Sequence, residues 1–381
     1  GVSRACGYEP HLRRGIGFGK KPRLQLNDRA CSNRSNKLDR AIVEVEGMLM
    51  IRYLVERSII FVATIYISVT IVFFIPRLIP GDPLGAVFLN LAAVGGSLGA
   101  SDLVEEYRRM FGLDKGLWEQ YVSYLRELFR GNLGYSIGSF PSQVSDLLRA
   151  ALPWTIGLLS VTTVLSWILG SLFGAWVGWR GEKSRFTQAI VSVALLLYTT
   201  PYYILALILV FLLAFQWPIF PLSGAYSAGM TPHLSWRFVK DVLYHAMLPA
   251  LSIVLVSLGW WFLSMRSLII SLKGEDYILL AEAKGLSQQR ILWHHAFRNA
   301  LLPQVTGLAL SLGNITGGAL VTEVIFAYPG VGWLIYNAIK SLDFPVIQGG
   351  VLLIVVSVAT ANFIIDLIYP LIDPRIQIGS A

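Results

Sequence analysis

Charge is what this sequence has least of. Only 14% of its 381 residues are Asp, Glu, Lys or Arg, whereas 55% are apolar and the mean hydropathy is +0.60. A soluble globular protein usually carries about 25% charged residues. The low charge therefore excludes a soluble domain of this length and indicates a chain that lives in a lipid bilayer.

Cysteine and histidine are also scarce, and their spacing does not form a site. Cys6 and Cys31 are the two cysteines, and they lack the C-x-x-C pairing typical of a metal site. His294 and His295 are adjacent, so on a helix they point in different directions. The glycines of residues 15–20 lack the spacing of a phosphate-binding loop. No nucleophile elbow occurs either, so the sequence predicts no catalytic residue, no metal and no cofactor bound by this chain.

Long apolar stretches are what the sequence does contain. A helix needs about 20 apolar residues to cross a hydrocarbon layer of about 30 Å, and the stretches show no alternation typical of a barrel strand. They predict an all-α, polytopic membrane protein with six transmembrane helices, the third of which Pro201 is expected to kink. The six stretches are Ile59–Ile79, Leu152–Trp179, Phe186–Phe215, Met247–Ile270, Val305–Phe326 and Val346–Ile372.

The distribution of basic residues predicts the orientation. Short outer loops hold only Arg237, Lys240 and Lys340, and cytoplasmic segments normally hold the excess of Lys and Arg. Both termini are therefore expected in the cytoplasm, in a cell-membrane protein. Topology and anionic lipid headgroups account for the net charge of +8, so membrane lipid is an expected partner and nucleic acid is not.

These patterns divide the chain into five segments. A basic cytoplasmic extension with too few apolar residues for a packed core comes first, and a first span, an outer helical segment, a core of five spans and a short tail follow. The boundaries are 1–50, 51–80, 81–150, 151–376 and 377–381, with a cytoplasmic loop at 277–298.

The outer segment is predicted to hold two helices. The first opens at Asp102 and ends at Gly112, and the second runs from Leu117 to Arg130, where Gly131 stops it. One face of the second helix is apolar, and it either packs as a lid or forms a docking platform for an extracellular partner. The residues of that face are Leu117, Tyr121, Tyr124, Leu125 and Leu128.

Ionisable residues are almost missing from the spans. Glu323 and Asp366 lie near span ends, where hydrogen bonding at a helix end is the expected role. An ion-coupled carrier usually places carboxylates or histidines at mid-membrane. Their scarcity therefore argues against a secondary carrier, which stays the alternative of a different class.

Span five is the best candidate for a translocation pathway. Its small and polar residues recur on one helical face, which either lines a pore or packs against another helix. Trp260 in span four is a further pathway candidate, although tryptophan in a membrane helix often packs or anchors. The residues of the span-five face are Ser311, Asn314, Gly318 and Thr322.

The cytoplasmic loop at 277–298 combines a turn of small residues with a basic, aromatic helix. Such a loop between two spans is expected to contact something outside the bilayer, because a tight glycine turn can hold a short helix rigidly at the membrane surface. Its candidate site residues are Tyr277, Ala281, Glu282, Ala283, Lys284, Gly285, Leu286, Arg290 and Arg298.

Six motifs in order give the chain a resemblance to a known family. Between about residues 51 and 376 it resembles the dipeptide and oligopeptide permeases of ATP-driven (ABC-type) importers, specifically the first, or B-type, of the two membrane subunits. The motifs are IPGDP at 79–83, GNLGYS at 131–136, AKGL at 283–286, HAFRNALLP at 295–303, YPGVG at 328–332 and DPRI at 373–376.

The resemblance implies a type I importer permease fold and a coupling helix in the loop, which would contact a cytoplasmic ATPase. It also implies a second permease subunit, two ATP-binding subunits that bind ATP and Mg, and an extracellular substrate-binding protein. Peptides are the expected substrate, and oligosaccharides and nickel remain alternatives. Leu279, Leu280, Glu282 and Arg298 depart from the loop motif common in such families.

Overall fold

A computed structural model describes residues 28–78, 84–85, 100–181, 184–233, 235–313 and 320–372. Among these residues the only extended pairing is an isolated bridge between Tyr135 and Gln143, which confirms the all-α prediction. The helices are α1 (Asp28–Leu78), α2 (Ala100–Met110), α3 (Leu117–Phe129), α4 (Val144–Arg180), α5 (Arg185–Thr199), α6 (Tyr202–Leu209), α7 (Trp236–Leu272), α8 (Asp276–Ala283), α9 (Gln288–Arg290), α10 (Phe297–Gly313), α11 (Leu320–Ile325), α12 (Val331–Lys340) and α13 (Phe344–Ile372). π-Helical turns extend α6 to Gln216 and join α9 to α10.

Four of these helices are long and apolar enough to cross a membrane. They contain Ile51–Leu78, Val144–Arg180, Trp236–Leu272 and Phe344–Leu367. A fifth candidate, Arg185–Thr199 followed by Tyr202–Gln216, is bent by 101°. Pro201 lies at that bend and precedes α6, which confirms the predicted kink, because proline cannot continue the hydrogen bonding of α5.

The predicted fifth span is described in two pieces. α10 ends at Gly313 and α11 begins at Leu320, and residues 314–319 lie outside the described part of the chain. The described residues therefore account for four spans, or five if the bent pair crosses as one, and the count of six stays a prediction.

The chain divides into two compact units, which are residues 1–60 with 366–381 and residues 61–365. In the first unit, Arg57 forms an ion pair of 3.4 Å with Asp366, and the Tyr53 hydroxyl donates to the Asp366 carbonyl oxygen. The sequence predicts hydrogen bonding at a helix end for Asp366. In the structure its carboxylate instead pairs with the Arg57 guanidinium. The helical backbone of α1 already starts at Asp28, within the segment predicted as an N-terminal extension.

The centre of the second unit is the pairing of α4 with α7. Small residues of α4 make this pairing close, because a Cβ atom on Gly174 would lie only 2.4 Å from the Phe262 carbonyl oxygen. A Cβ atom on Gly170 would lie 2.5 Å from the Cβ of Trp261. Glycine at these positions lets the two backbones touch, as in other membrane helix pairs.

The two outer helices lie close to their predicted positions. Gly112 and Gly131 follow α2 and α3 with φ of +65° and +76°, so both act as the predicted left-handed helix ends. Tyr121 of α3 is buried against α1, whereas Leu117 is 56% exposed and does not belong to the packed face.

Candidate functional site

The loop at 277–298, predicted to be cytoplasmic, is a helix, a tight turn and a second helical segment. α8 ends in a Schellman motif, in which the N–H of Gly285 donates to the Glu282 carbonyl at 2.9 Å and the N–H of Leu286 donates to the Ala281 carbonyl at 3.3 Å. Gly285 has a φ of +74°, a conformation that most other residues adopt only with strain. The turn therefore depends on glycine for its backbone conformation.

One face of the loop is anchored in the membrane helices. Ala281 is only 5% exposed, so it packs inside the chain, although the sequence placed it among the contact residues. Tyr277 and Leu286 are half-buried against the same cluster. The cluster joins Ile278, Ala281, Ile291, Leu292, Ala296 and Ala300 to Ala175 of α4 and to Met265 and Ile269 of α7. A force on this loop would thus be transmitted directly to α4 and α7.

The opposite face of the loop is exposed. It includes six of the nine predicted residues, Glu282, Ala283, Lys284, Gly285, Arg290 and Arg298. The side chain of Gln288 links the two halves of the loop, since it donates to Glu282 at 3.2 Å and accepts from the Trp179 indole at 3.1 Å. This arrangement forms a rigid ridge with charges of both signs.

Two site residues were missed by sequence reasoning. Leu279 and Leu280 are 51% and 56% exposed beside the charged residues of the loop. They were noted only as departures from a motif, but two adjacent leucines on a short loop helix are themselves a signal for an apolar contact. The exposed face of the loop therefore carries two apolar side chains next to its charged residues.

The predicted pathway residues do not form one surface in the described part of the chain. Trp260 is 43% exposed and meets the buried Trp261 edge-on at 4.4 Å between ring centroids. The Ser311 hydroxyl donates to the Gly307 carbonyl of its own helix, and Thr322 is fully buried. Asn314 and Gly318 lie outside the described residues.

Glu323 forms a clasp at the opposite end of the bundle. Its carboxylate accepts hydrogen bonds from the Thr155 hydroxyl at 2.6 Å and from the backbone N–H groups of Gly332 and Trp333 at 2.7 and 3.3 Å. Thr155 in turn accepts from the N–H of Val331 at 2.9 Å. Glu323 therefore binds the N-terminus of α12, which confirms the predicted helix-end role.

The clasp explains the YPGVG motif. A Cβ atom on Gly330 would lie 2.4 Å from the Glu323 carboxyl group, so only glycine fits there. Burial, and secondarily the charge of Glu323, raises the pKa of Tyr328 to about 12. Tyr328 thus stays a neutral phenol at physiological pH.

A second carboxylate clasp was not predicted. Asp343 is 3% exposed and accepts from the Ser136 hydroxyl at 2.5 Å and from the N–H groups of Ile137 and Gly138 at 3.1 and 3.0 Å. It also caps α13 through the N–H of Val346 at 3.4 Å. This clasp ties the end of the GNLGYS motif to the last helix. An aspartate directly before a helix was the available signal.

We expect Ser136→Ala to lower thermal stability of the assembled complex while leaving assembly intact. The change removes one donor from a buried carboxylate, which costs about 1–3 kcal/mol. A thermal-shift measurement in detergent tests this, with Ser145→Ala as a matched control, since the half-buried Ser145 hydroxyl donates only to the nearby Gln143 side chain, at 3.3 Å, among the described residues. Equal melting temperatures for the two variants would show that the Ser136 hydroxyl is not needed for stability.

The described residues contain no group of three or more His, Cys, Asp or Glu side chains that could hold a metal ion. The exposed face of the loop combines basic, acidic and apolar side chains. The carboxylates of the two clasps accept hydrogen bonds from helix termini and hydroxyl groups of this chain.

Comparison with known proteins gives two family matches and several relatives. Residues 170–378 match the model of the binding-protein-dependent transport system inner membrane component, and residues 50–158 match the N-terminal part of such membrane components. The di/tripeptide transport system permease DppB of Pseudomonas aeruginosa is 31% identical over 86% of this chain and 99% of its own length.

Two further relatives cover the chain to the same extent. The dipeptide transport system permease DppB of Escherichia coli is 30% identical over 86% of this chain and 99% of its own length. A putative peptide permease of Brucella suis is 32% identical over 86% of this chain and 100% of its own length.

Proposed function

Because this chain belongs to the family of inner membrane components of binding-protein-dependent transport systems, we propose that it forms half of the translocation pathway of an ATP-driven peptide importer. The family match confirms the resemblance predicted from the six motifs. The chain is a non-catalytic, multi-pass membrane subunit that works with ATPase and binding-protein components.

The geometry of the cytoplasmic loop carries the proposal. Its buried face is continuous with α4 and α7, and its exposed face offers Leu279, Leu280 and the charged residues of the Gly285 turn. A loop that is packed against the spans on one side and exposed on the other can pass a movement of a docked protein to the spans. The partner that would supply such movement is an ATPase subunit, which would bind the ATP and Mg.

Peptides are the proposed substrate. The relatives that cover this chain are named for dipeptides, for di- and tripeptides, or for peptides in general, and oligosaccharides find no such support. We further propose a complex of this chain with a second permease subunit, two ATPase subunits and an extracellular binding protein, with both termini of this chain in the cytoplasm.

Reconstitution tests the function. The complex is placed in vesicles with its binding protein, and uptake of radiolabelled di- and tripeptides is followed with ATP inside. ATP-dependent uptake of peptides, with an oligosaccharide as the matched negative substrate, is the expected result. Uptake of the sugar instead of the peptides would overturn the substrate class, and uptake without ATP would favour a secondary carrier.

A crosslink identifies the partner of the loop. In a chain in which Cys6→Ser and Cys31→Ser remove the native thiols, a photoactivatable maleimide on Ala283→Cys is expected to crosslink to an ATPase subunit. Ala281→Cys is the matched control, because its 5% exposure should block labelling. A crosslink from Ala283→Cys only to another protein would refute the coupling role of the loop.

A further inference from the structure

The outer helix α3 is divided into three faces along its length. At about 100° per residue, one face packs on α1, a second is apolar and open, and a third is polar. The packed face holds Tyr121 and Tyr124, whose rings meet that of Phe73, and the half-buried Leu128 lies on the same side of the helix. The open apolar face, here called the α3 stripe, holds Trp118, Val122, Leu125 and Phe129. The polar face holds Glu119, Ser123, Arg126, Glu127 and Arg130.

Three of the four residues of the α3 stripe are exposed, and Leu125 is half-buried. Trp118 is 70% exposed, Val122 37% and Phe129 89%, whereas Tyr121 on the neighbouring face is 4% exposed. The stripe and the packed face together form one broad apolar surface opposite the polar face. Within the part of the chain that the structure describes, the packed face is covered and most of the stripe is not, so the stripe requires another explanation than core packing.

Contacts with α1 place α3 at a definite height along the first span. The Tyr121 hydroxyl is 2.8 Å from the Thr70 hydroxyl, and its ring meets those of Phe73 and Phe74 at 5.1 and 5.5 Å. Gln120 accepts a hydrogen bond of 3.1 Å from Arg77. α3 therefore lies beside the last three turns of α1.

That height corresponds to a membrane boundary. Residues 58–76 of α1, between Arg57 and Arg77, carry no charge, and at 1.5 Å per residue these 19 residues span about 28 Å, close to the hydrocarbon thickness of about 30 Å. Arg77 thus marks the end of the hydrocarbon layer. The Trp118 ring lies 5.6 Å from that of Tyr121, which reaches below this boundary to Thr70.

Part of the surface of α1 near this level is also apolar and open. Ile71, Ile75 and Leu78 of its last turns are 47%, 55% and 79% exposed. Apolar side chains are therefore open both on the last turns of α1 and on α3, whose charged residues lie on its separate polar face. Tryptophan is enriched at this level of a membrane, and a helix with one charged face and one aromatic, apolar face suits the boundary between headgroups and acyl chains.

We propose that α3 is an interfacial helix whose stripe of Trp118, Val122, Leu125 and Phe129 lies in the lipid leaflet where the first span ends. Lipid covers the stripe, and the polar face of α3 remains in water. The outer segment is then fixed on two sides, by the contacts of Tyr121 with α1 and by the bilayer itself. This anchoring does not depend on which substrate the complex carries.

Spin-label accessibility in the reconstituted complex tests this placement. Val122→Cys and Ser123→Cys are labelled singly after Cys6→Ser and Cys31→Ser. The two positions are neighbours in sequence, carry small side chains and lie about 100° apart on the helix. We expect collision with oxygen to exceed collision with a water-soluble nickel chelate several-fold at position 122, and the reverse at position 123.

Each other outcome overturns the proposal. Nickel access equal to oxygen access at position 122 would place the stripe in water. Access of neither reagent there would show that another protein chain covers it. Peptide uptake is measured in the same vesicles, so failure of the transport proposal is seen separately from failure of the lipid placement.

Discussion

Replacement of Glu323 by leucine should greatly reduce the amount of complex that can be purified. Leucine has a similar volume but accepts no hydrogen bond, so the Thr155 hydroxyl and the N–H groups of Gly332 and Trp333 lose their acceptor. Each buried donor left unpaired costs about 1–3 kcal/mol, and three such losses are a large part of a stability of about 5–15 kcal/mol. Yield after size-exclusion chromatography and thermal unfolding measure the effect.

Two further variants test whether the effect comes from the clasp. Thr155→Val should destabilise in the same direction and Thr155→Ser should not, since serine keeps the hydroxyl. In a double-mutant cycle, Thr155→Val combined with Glu323→Leu should cost less than the sum of the single changes, because they share one hydrogen bond. A stable, fully assembled Glu323→Leu complex would show that the α12 terminus is held by packing alone.

Replacement of Gly285 by valine should uncouple ATP hydrolysis from uptake. No atom lies within 4 Å of the position that a Cβ would take, so the change causes no clash. Its effect comes from the φ of +74°, which costs a residue with a side chain about 1–2 kcal/mol and more for a β-branched one. We expect uptake to fall by about 5- to 150-fold, the range of typical coupling free energies, while the complex assembles and basal ATP hydrolysis continues.

Gly285→Asn is the matched control for the turn. Asparagine tolerates the left-handed conformation, so this variant should retain most of the uptake. Uptake and substrate-stimulated ATP hydrolysis are compared in vesicles of equal complex content. Normal uptake by the valine variant would remove the turn from the mechanism, and loss in both variants would mean that a partner's approach, not the backbone conformation, requires glycine.

Local pattern was enough to identify the membrane helices and the loop. Charge-poor stretches need no tertiary contact to partition into hydrocarbon, so the spans could be read from hydropathy alone. Pro201 and the glycines at 112, 131 and 285 act through their own backbone preferences, and the structure has each at the predicted bend or left-handed turn. The family followed from motifs whose order and place between spans were visible in the chain.

Tertiary structure decided which side of each element is free. Ala281 and Glu282 are neighbours in one motif, yet the first is buried against α4 and α7 and the second is exposed. Asp343 looked unremarkable in sequence because its partners, Ser136 to Gly138, lie about 200 residues away.

The sequence by itself thus determined an all-α membrane subunit of a transport system, since hydropathy, turn residues and motifs are properties of short segments. Only the tertiary structure decided that Asp366 pairs with Arg57, that Asp343 joins Ser136 to the last helix, and that Trp118, Val122 and Phe129 of α3 stay open in the described part of the chain. Those features depend on which residues distant in the chain meet, and a periodic pattern in one helix specifies an apolar face without specifying what covers it.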